Sequence, residues 1–373
     1  MQAILKFVNK HPQLLFIVSW AIINIYSINN KGIVTNFEAA RYIGESNLIL
    51  NGNGFSDIAY FFYSVPIFLI SFSRYIGCEY YIFIAIQYLC SLISILFLYA
   101  TLVKISNRQI ALFCTIFYTL CLQINEYNSF VFSDSLFISF STLAICFGIN
   151  YFLNPQKKCL IGIIFISILL LLTRPLGLPI VFAFLSTLAI YYFKNKLKIY
   201  IAVMVVILFA TSLCAYFIII KTNMFNFLLP FIEGRIICGI PTATPNNLFI
   251  PQNNNPVFAY LSFAFYNPYY FFKSCFLKTI AFFGMYRRHY TFTHNIINYG
   301  YFWPIFITGF WGIKMYLKHN KILFYLLFLP VLFTYLVVIL SCDDWGNRFI
   351  LPIIVYFIIG VAHYLNRKFY NNK

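Results

Sequence analysis

The sequence predicts an all-α polytopic membrane protein, with about ten transmembrane helices and further helices lying at its outer interface. Three observations carry that expectation. Of 373 residues, 62% are hydrophobic and 9% charged, more apolar surface than one soluble core can hide. Apolar runs approaching the about 20 residues needed to cross hydrocarbon recur along the chain. Finally, threading those runs from a cytoplasmic N-terminus puts all nine acids on the outer side: Glu38, Glu45, Asp57, Glu79, Glu126, Asp134, Glu233, Asp343 and Asp344.

The runs fall at 14–30, 82–103, 109–124, 134–153, 159–173, 176–193, 199–220, 301–317, 322–340 and 349–365. The first follows Lys6 and Lys10 as a signal sequence would. No small-residue cleavage site comes after it, so it reads as a retained anchor. The cations test the threading. Fifteen of 26 Lys and Arg fall in cytoplasmic segments, opposed by no acid, and the outer side keeps 11 against nine acids. The net charge of +17 therefore reports orientation and calls for no nucleic acid.

Two outer segments are too long to be turns. Residues 31–81 hold a candidate helix at 37–50 and an apolar stretch at 60–75, read as lying along the interface, since a crossing there would invert every later loop. Residues 221–300 hold a Pro- and Asn-rich loop at 239–256 and, from Pro268 to Met285, another interfacial helix from which Lys273 and Lys278 are expected to snorkel. No internal repeat is present, and the whole chain reads as a single integral membrane domain. The ten Cys are scattered, without C-x-x-C or zinc spacing, and are expected to act as small apolar residues.

Seven of nine Arg are external (Arg41, Arg74, Arg174, Arg235, Arg287, Arg288 and Arg348), whereas 13 of 17 Lys are internal. Guanidinium forks suit phosphate oxygens. The external Arg therefore either hold a phosphate-bearing ligand or pair with the nine acids. At about 100° per residue, Glu38, Arg41, Tyr42 and Glu45 share one polar stripe of the first outer helix. Thr35 or Asn36 is expected to cap that helix, with Glu38 in its first turn where the dipole favours a carboxylate. An ordinary amphipathic helix would look the same.

That acid after the first span, Tyr42 four residues on, and the run Leu48-Ile49-Leu50-Asn51-Gly52-Asn53-Gly54-Phe55 resemble the first external loop of GT-C glycosyltransferases. The branch is that of protein O-mannosyltransferases and lipid A aminoarabinose transferases. Ser133-Asp134-Ser135-Leu136-Phe137, Thr173-Arg174-Pro175-Leu176-Gly177 and Arg348-Phe349-Ile350-Leu351-Pro352 resemble later pieces in the same order. The resemblance implies inverting transfer of a sugar from a polyprenyl (undecaprenyl-type) phosphate to an extracytoplasmic glycan, lipid or protein acceptor. The lipid-linked sugar is a substrate, and no cofactor or metal is expected.

In that reading Glu38 is the general base, although the family commonly has Asp there, often beside a second acid where this chain has Phe37. Glu45 and Asp57 are substitutes. Arg174 and Arg348, then Arg287 and Arg288, would hold the lipid phosphate, with Arg41, Tyr42, Glu45, Asp134 and His294 lining the substrate site. The plainer alternatives are an ion pair of Arg348 with Asp343 or Asp344, anionic lipid heads at Arg287-Arg288-His289, and a solvated His294. Glu38, Glu126, Asp134 and Glu233 lack the dense spacing of a metal motif. Abundant Phe, Tyr, Ile, Asn and Lys match an AT-rich bacterial genome, so the expected location is an inner membrane with the site facing outward. An O-antigen polymerase or ligase and a lipid-linked sugar flippase are the competing readings. A flippase predicts charges within the spans and an internal repeat.

Overall fold

The computed structural model describes residues 12–195, 227–252, 255–287, 290–344 and 346–370. The expected span at 199–220, together with Arg288, His289 and Trp345, lies outside the described residues. What is described is helical, with only isolated β-bridges at Val34, Ile237 and their partners. It groups into two compact units. The first comprises Met1–Val181, Thr308–Phe328 and Leu351–Lys373; the second comprises Phe182–Ile307 and Leu329–Ile350.

The helices are α1 (Gln13–Lys31), α2 (Glu38–Leu50), α3 (Ser64–Tyr75, entered by a 3-10 turn Ile58–Tyr63), α4 (Tyr81–Ile105), α5 (Arg108–Thr119), α6 (Leu122–Glu126), α7 (Asp134–Leu153), α8 (Lys157–Thr173) and α9 (Gly177–Lys194). They continue as α10 (Leu229–Ile232), α11 (Pro256–Tyr266), α12 (Pro268–Gly284), α13 (Phe292–His319), α14 (Lys321–Ile339) and α15 (Ile354–Phe369). Local chemistry sets several starts. The Asn107 side chain accepts from the Ile110 amide at 2.8 Å to cap α5, and Asn255 accepts from Val257 at 3.0 Å ahead of Pro256 in α11.

Among the described residues, five helices are long and apolar enough to cross a membrane: Ile58–Tyr75, α4, α7, α9 and α14. Ile58–Tyr75, expected to lie along the interface, thus qualifies as a span by length and composition. The run expected as one span at 109–124 is instead broken, with α5 and the helical segment Leu122–Ser129 bent by 57°. Asn125 explains how the break is tolerated. Its side-chain amide donates to the carbonyl of Thr119 (2.9 Å), which the bend would otherwise leave unsatisfied in an apolar setting, and adds to the backbone bond on the carbonyl of Cys121 (2.8 Å).

In the first unit α7 is the central helix, buried along nearly its whole length and packed against α4 and α8. Ser139, Ser141, Ala144 and Gly148 keep its faces narrow enough for close approach. The Ser141 hydroxyl donates to the Pro352 carbonyl at 2.7 Å. α13 and α15 meet through glycine: a methyl group on Gly312 would overlap the Gly360 carbonyl, and one on Gly360 would overlap that of Gly309.

Candidate functional site

In the first unit, α2 does not start as expected. Neither Thr35 nor Asn36 caps it with a side chain. The chain turns at Asn36, whose carbonyl accepts from the Ala39 amide at 3.2 Å, and the helix opens from Phe37. Glu38 is the first helical residue and is partly exposed. One turn on, the buried Tyr42 hydroxyl reaches Glu38 Oε2 at 3.5 Å and Ser133 Oγ at 3.3 Å.

Ser133 stands at the start of α7, and the next residue, Asp134, forms a buried ion pair with Arg174. Both members suit their helix ends. Asp134 lies in the first turn of α7 and Arg174 at the C-cap of α8, so each charge opposes the local dipole. Tyr42 thus bridges a partly exposed carboxylate and the start of the helix that holds the buried Asp–Arg pair. Arg41, on the same turn as Tyr42, is exposed.

The other acids of the first loop are occupied. Glu45, only 5% exposed, accepts from the Ser56 amide at 3.0 Å and from its hydroxyl, closing the loop after α2. Asp57 caps the 3-10 turn by accepting from Ala59 at 2.7 Å. Arg74 donates to Ser46 and Asn47. Behind Asp134, a polar pocket is lined by Ser91, Tyr118, Asn125, Asn128, Ser135 and Ser139. Ser135 donates to Asn128, which donates to Asn24, tying α7 to α1.

In the second unit Arg287 is fully buried, and all five of its N–H groups find protein acceptors. Nε donates to the Asp344 carbonyl (3.2 Å), as does Nη2 (2.8 Å), which also donates to Asp343 Oδ2 (2.6 Å). Nη1 donates to the carbonyls of Ala281 (3.0 Å) and Tyr286 (2.9 Å). Arg348, also buried, lies 4.0 Å from Asp344. His294 stacks on Tyr290 with ring centres 4.0 Å apart. The pairing expected as the plainer reading of Arg348 is therefore present, and Arg287 makes an equivalent one with Asp343.

Four of the Arg expected to be external (Arg174, Arg235, Arg287 and Arg348) each face a carboxylate among the described residues. Glu126 pairs with Lys31, Glu233 with Arg235 and Asp134 with Arg174, while Glu38 meets Tyr42, so these four acids have separate partners. No three His, Cys, Asp or Glu side chains gather as metal ligands among the described residues.

Two features depart from the sequence reading. Cys238 and Cys342, 104 residues apart, form a disulfide, so the Cys are not all small apolar fillers. It adjoins a short β-bridge in which the Cys238 amide donates to the Asp343 carbonyl at 2.7 Å and Asp343 donates to Ile236 at 3.0 Å. The only sequence signal was that the threading puts both Cys in segments expected to be external. Lys278 does not snorkel. It is fully buried, its Nζ 3.3 Å from the centre of the Phe231 ring and without a hydrogen-bond acceptor, and burial pushes its pKa down to about 7. Lys273 is exposed as expected. No family model matches the chain, and neither a curated protein nor a solved structure shows significant similarity to it.

Proposed function

We propose that this chain is an inverting glycosyltransferase that moves a sugar from a polyprenyl phosphate carrier to an extracytoplasmic acceptor. One observation carries the reading: an accessible carboxylate, Glu38, joined through Tyr42 to the start of α7, where the buried Asp134–Arg174 pair sits. Glu38 takes the proton of the acceptor hydroxyl as that oxygen attacks the anomeric carbon. The bond from that carbon to the phosphate oxygen breaks on the opposite face, and the lipid phosphate leaves with the electron pair. Arg41, exposed one turn from Glu38, is the best-placed guanidinium to meet that charge. Arg174 shapes the floor of the site through Asp134, while Arg287 and Arg348 serve the second unit.

We read ten membrane crossings, with this site on the outer face of a bacterial inner membrane. The Cys238–Cys342 disulfide supports that orientation, because both Cys fall in outer segments and disulfides persist in oxidising compartments. The test is sugar transfer in membranes supplied with radiolabelled polyprenyl phosphate sugars. Wild type is expected to consume donor, and Glu38→Gln, equally abundant and still binding donor, to be slower by about 10²–10⁴. Equal rates would make Glu38 structural. A wild type that consumes no donor would remove the transferase reading in favour of a flippase or polymerase.

A further inference from the structure

Phe37 occupies a backbone position that resists a side chain. The hydrogen bond from the Ala39 amide to the Asn36 carbonyl closes a four-residue turn, and Phe37, its second residue, has φ +56° and ψ −123°. This is the first central position of a type II′ turn, where glycine is the usual occupant because a Cβ crowds the backbone. Burial does not offset the strain, since Phe37 is 69% exposed. Glycine would make this turn more comfortably. Strained residues of this kind gather at sites where the strained side chain has a use, and the next residue is Glu38.

We infer that Phe37 is an aromatic platform for the sugar ring of the lipid-linked donor, an inference that rests on the transferase reading above. A sugar presents a face of C–H groups, whose weakly positive hydrogens fit the negative face of an aromatic ring. An exposed ring joined directly to the base would hold that face beside the acceptor's point of attack. The turn aims the ring outward, and a relaxed backbone there would direct it elsewhere. The rival use of an exposed Phe is anchorage in lipid, for which any large apolar side chain serves.

The experiment compares wild type, Phe37→Gly, Phe37→Leu and Phe37→Tyr in nanodiscs. The probes are undecaprenyl phosphate hexose and pentose as donors, and sugar-free undecaprenyl phosphate as competitor. Phe37→Gly is expected to melt higher, because the strain is relieved, and to show a KM about tenfold higher with kcat little changed. Inhibition by the sugar-free carrier stays as in wild type. Phe37→Leu follows glycine in KM, and Phe37→Tyr stays within about twofold of wild type. A wild-type KM in the Gly variant overturns the platform while leaving the transferase reading standing. A wild-type KM in Leu but not in Gly assigns the ring to lipid anchorage and also overturns it. A wild-type protein that consumes neither donor removes the transferase reading and the platform with it.

Discussion

The Asp134–Arg174 region of the first unit and the Asp343–Arg287 region of the second begin from the same chemistry and end in opposite places. Each buries a guanidinium against an aspartate. Around Arg287 every donor is answered by protein, and a disulfide lies alongside. Around Arg174 the polar chain continues through Ser133 and Tyr42 to a partly exposed acid and ends beside an exposed Arg41. A buried ion pair contributes little net stability by itself, but removing one partner is severe. The second region therefore reads as a clamp, and the first as a floor beneath the partly exposed Glu38 and the exposed Arg41.

The sharpest way to break this contrast is Arg287→Ala. It leaves the buried Asp343 carboxylate without its cation and removes the guanidinium from three backbone carbonyls, so a loss of about 3–5 kcal/mol is expected, read as a collapsed melting temperature or lost monodisperse protein. Arg41→Gln, at the exposed end of the other region, should stay within about 0.5 kcal/mol of wild type. If the two variants melt alike, the distinction between clamp and open site fails.

Next in size is the disulfide. Cys238→Ser with Cys342→Ser should lower stability by about 2–4 kcal/mol, chiefly by freeing the unfolded chain across a separation of 104 residues. A maleimide that labels Cys238 and Cys342 in unreduced, natively folded protein would contradict the pairing.

The smallest effect sharpens the energetics of the second unit. Lys278→Met replaces a buried amine by an apolar chain of similar length and should stabilise by on the order of 1 kcal/mol. Its pH dependence has a definite sign. The folded amine titrates near 7 and the unfolded one near 10.5, so between these values the unfolded chain binds more protons and wild-type stability rises with pH. The gain from Lys278→Met should be largest at or below pH 7 and fade towards 10.5. A gain independent of pH would mean that burial does not push the Lys278 amine down.

Much of the helix content was legible in the chain. The span expected at 134–153 is α7 residue for residue, because an acid at its start and Asn154 after its end delimit an unbroken apolar run. The run at 109–124 was legible as apolar but not as bent, since hydropathy cannot register a break whose stranded Thr119 carbonyl is satisfied by the side chain of Asn125. The site was half legible. Glu38, Arg41 and Tyr42 share a stripe because helical spacing is local, and Tyr42 does meet Glu38. The expected phosphate set was not separable by sequence, because an Arg facing a carboxylate and an Arg facing solvent read identically.

Composition and charge bias alone determined an all-helical, membrane-type chain, because apolar length and the placement of Lys are sums over neighbouring residues. Which charges are spoken for was decided only by the tertiary structure. Asp134 and Arg174 are 40 residues apart, Arg287 and Asp343 are 56, and Cys238 and Cys342 are 104. Burial also turned Lys278 onto Phe231 and left Phe37 outside on a strained turn. Partnership across such separations depends on distances of a few ångströms that local sequence does not encode, and those distances separate a structural arginine from an available one.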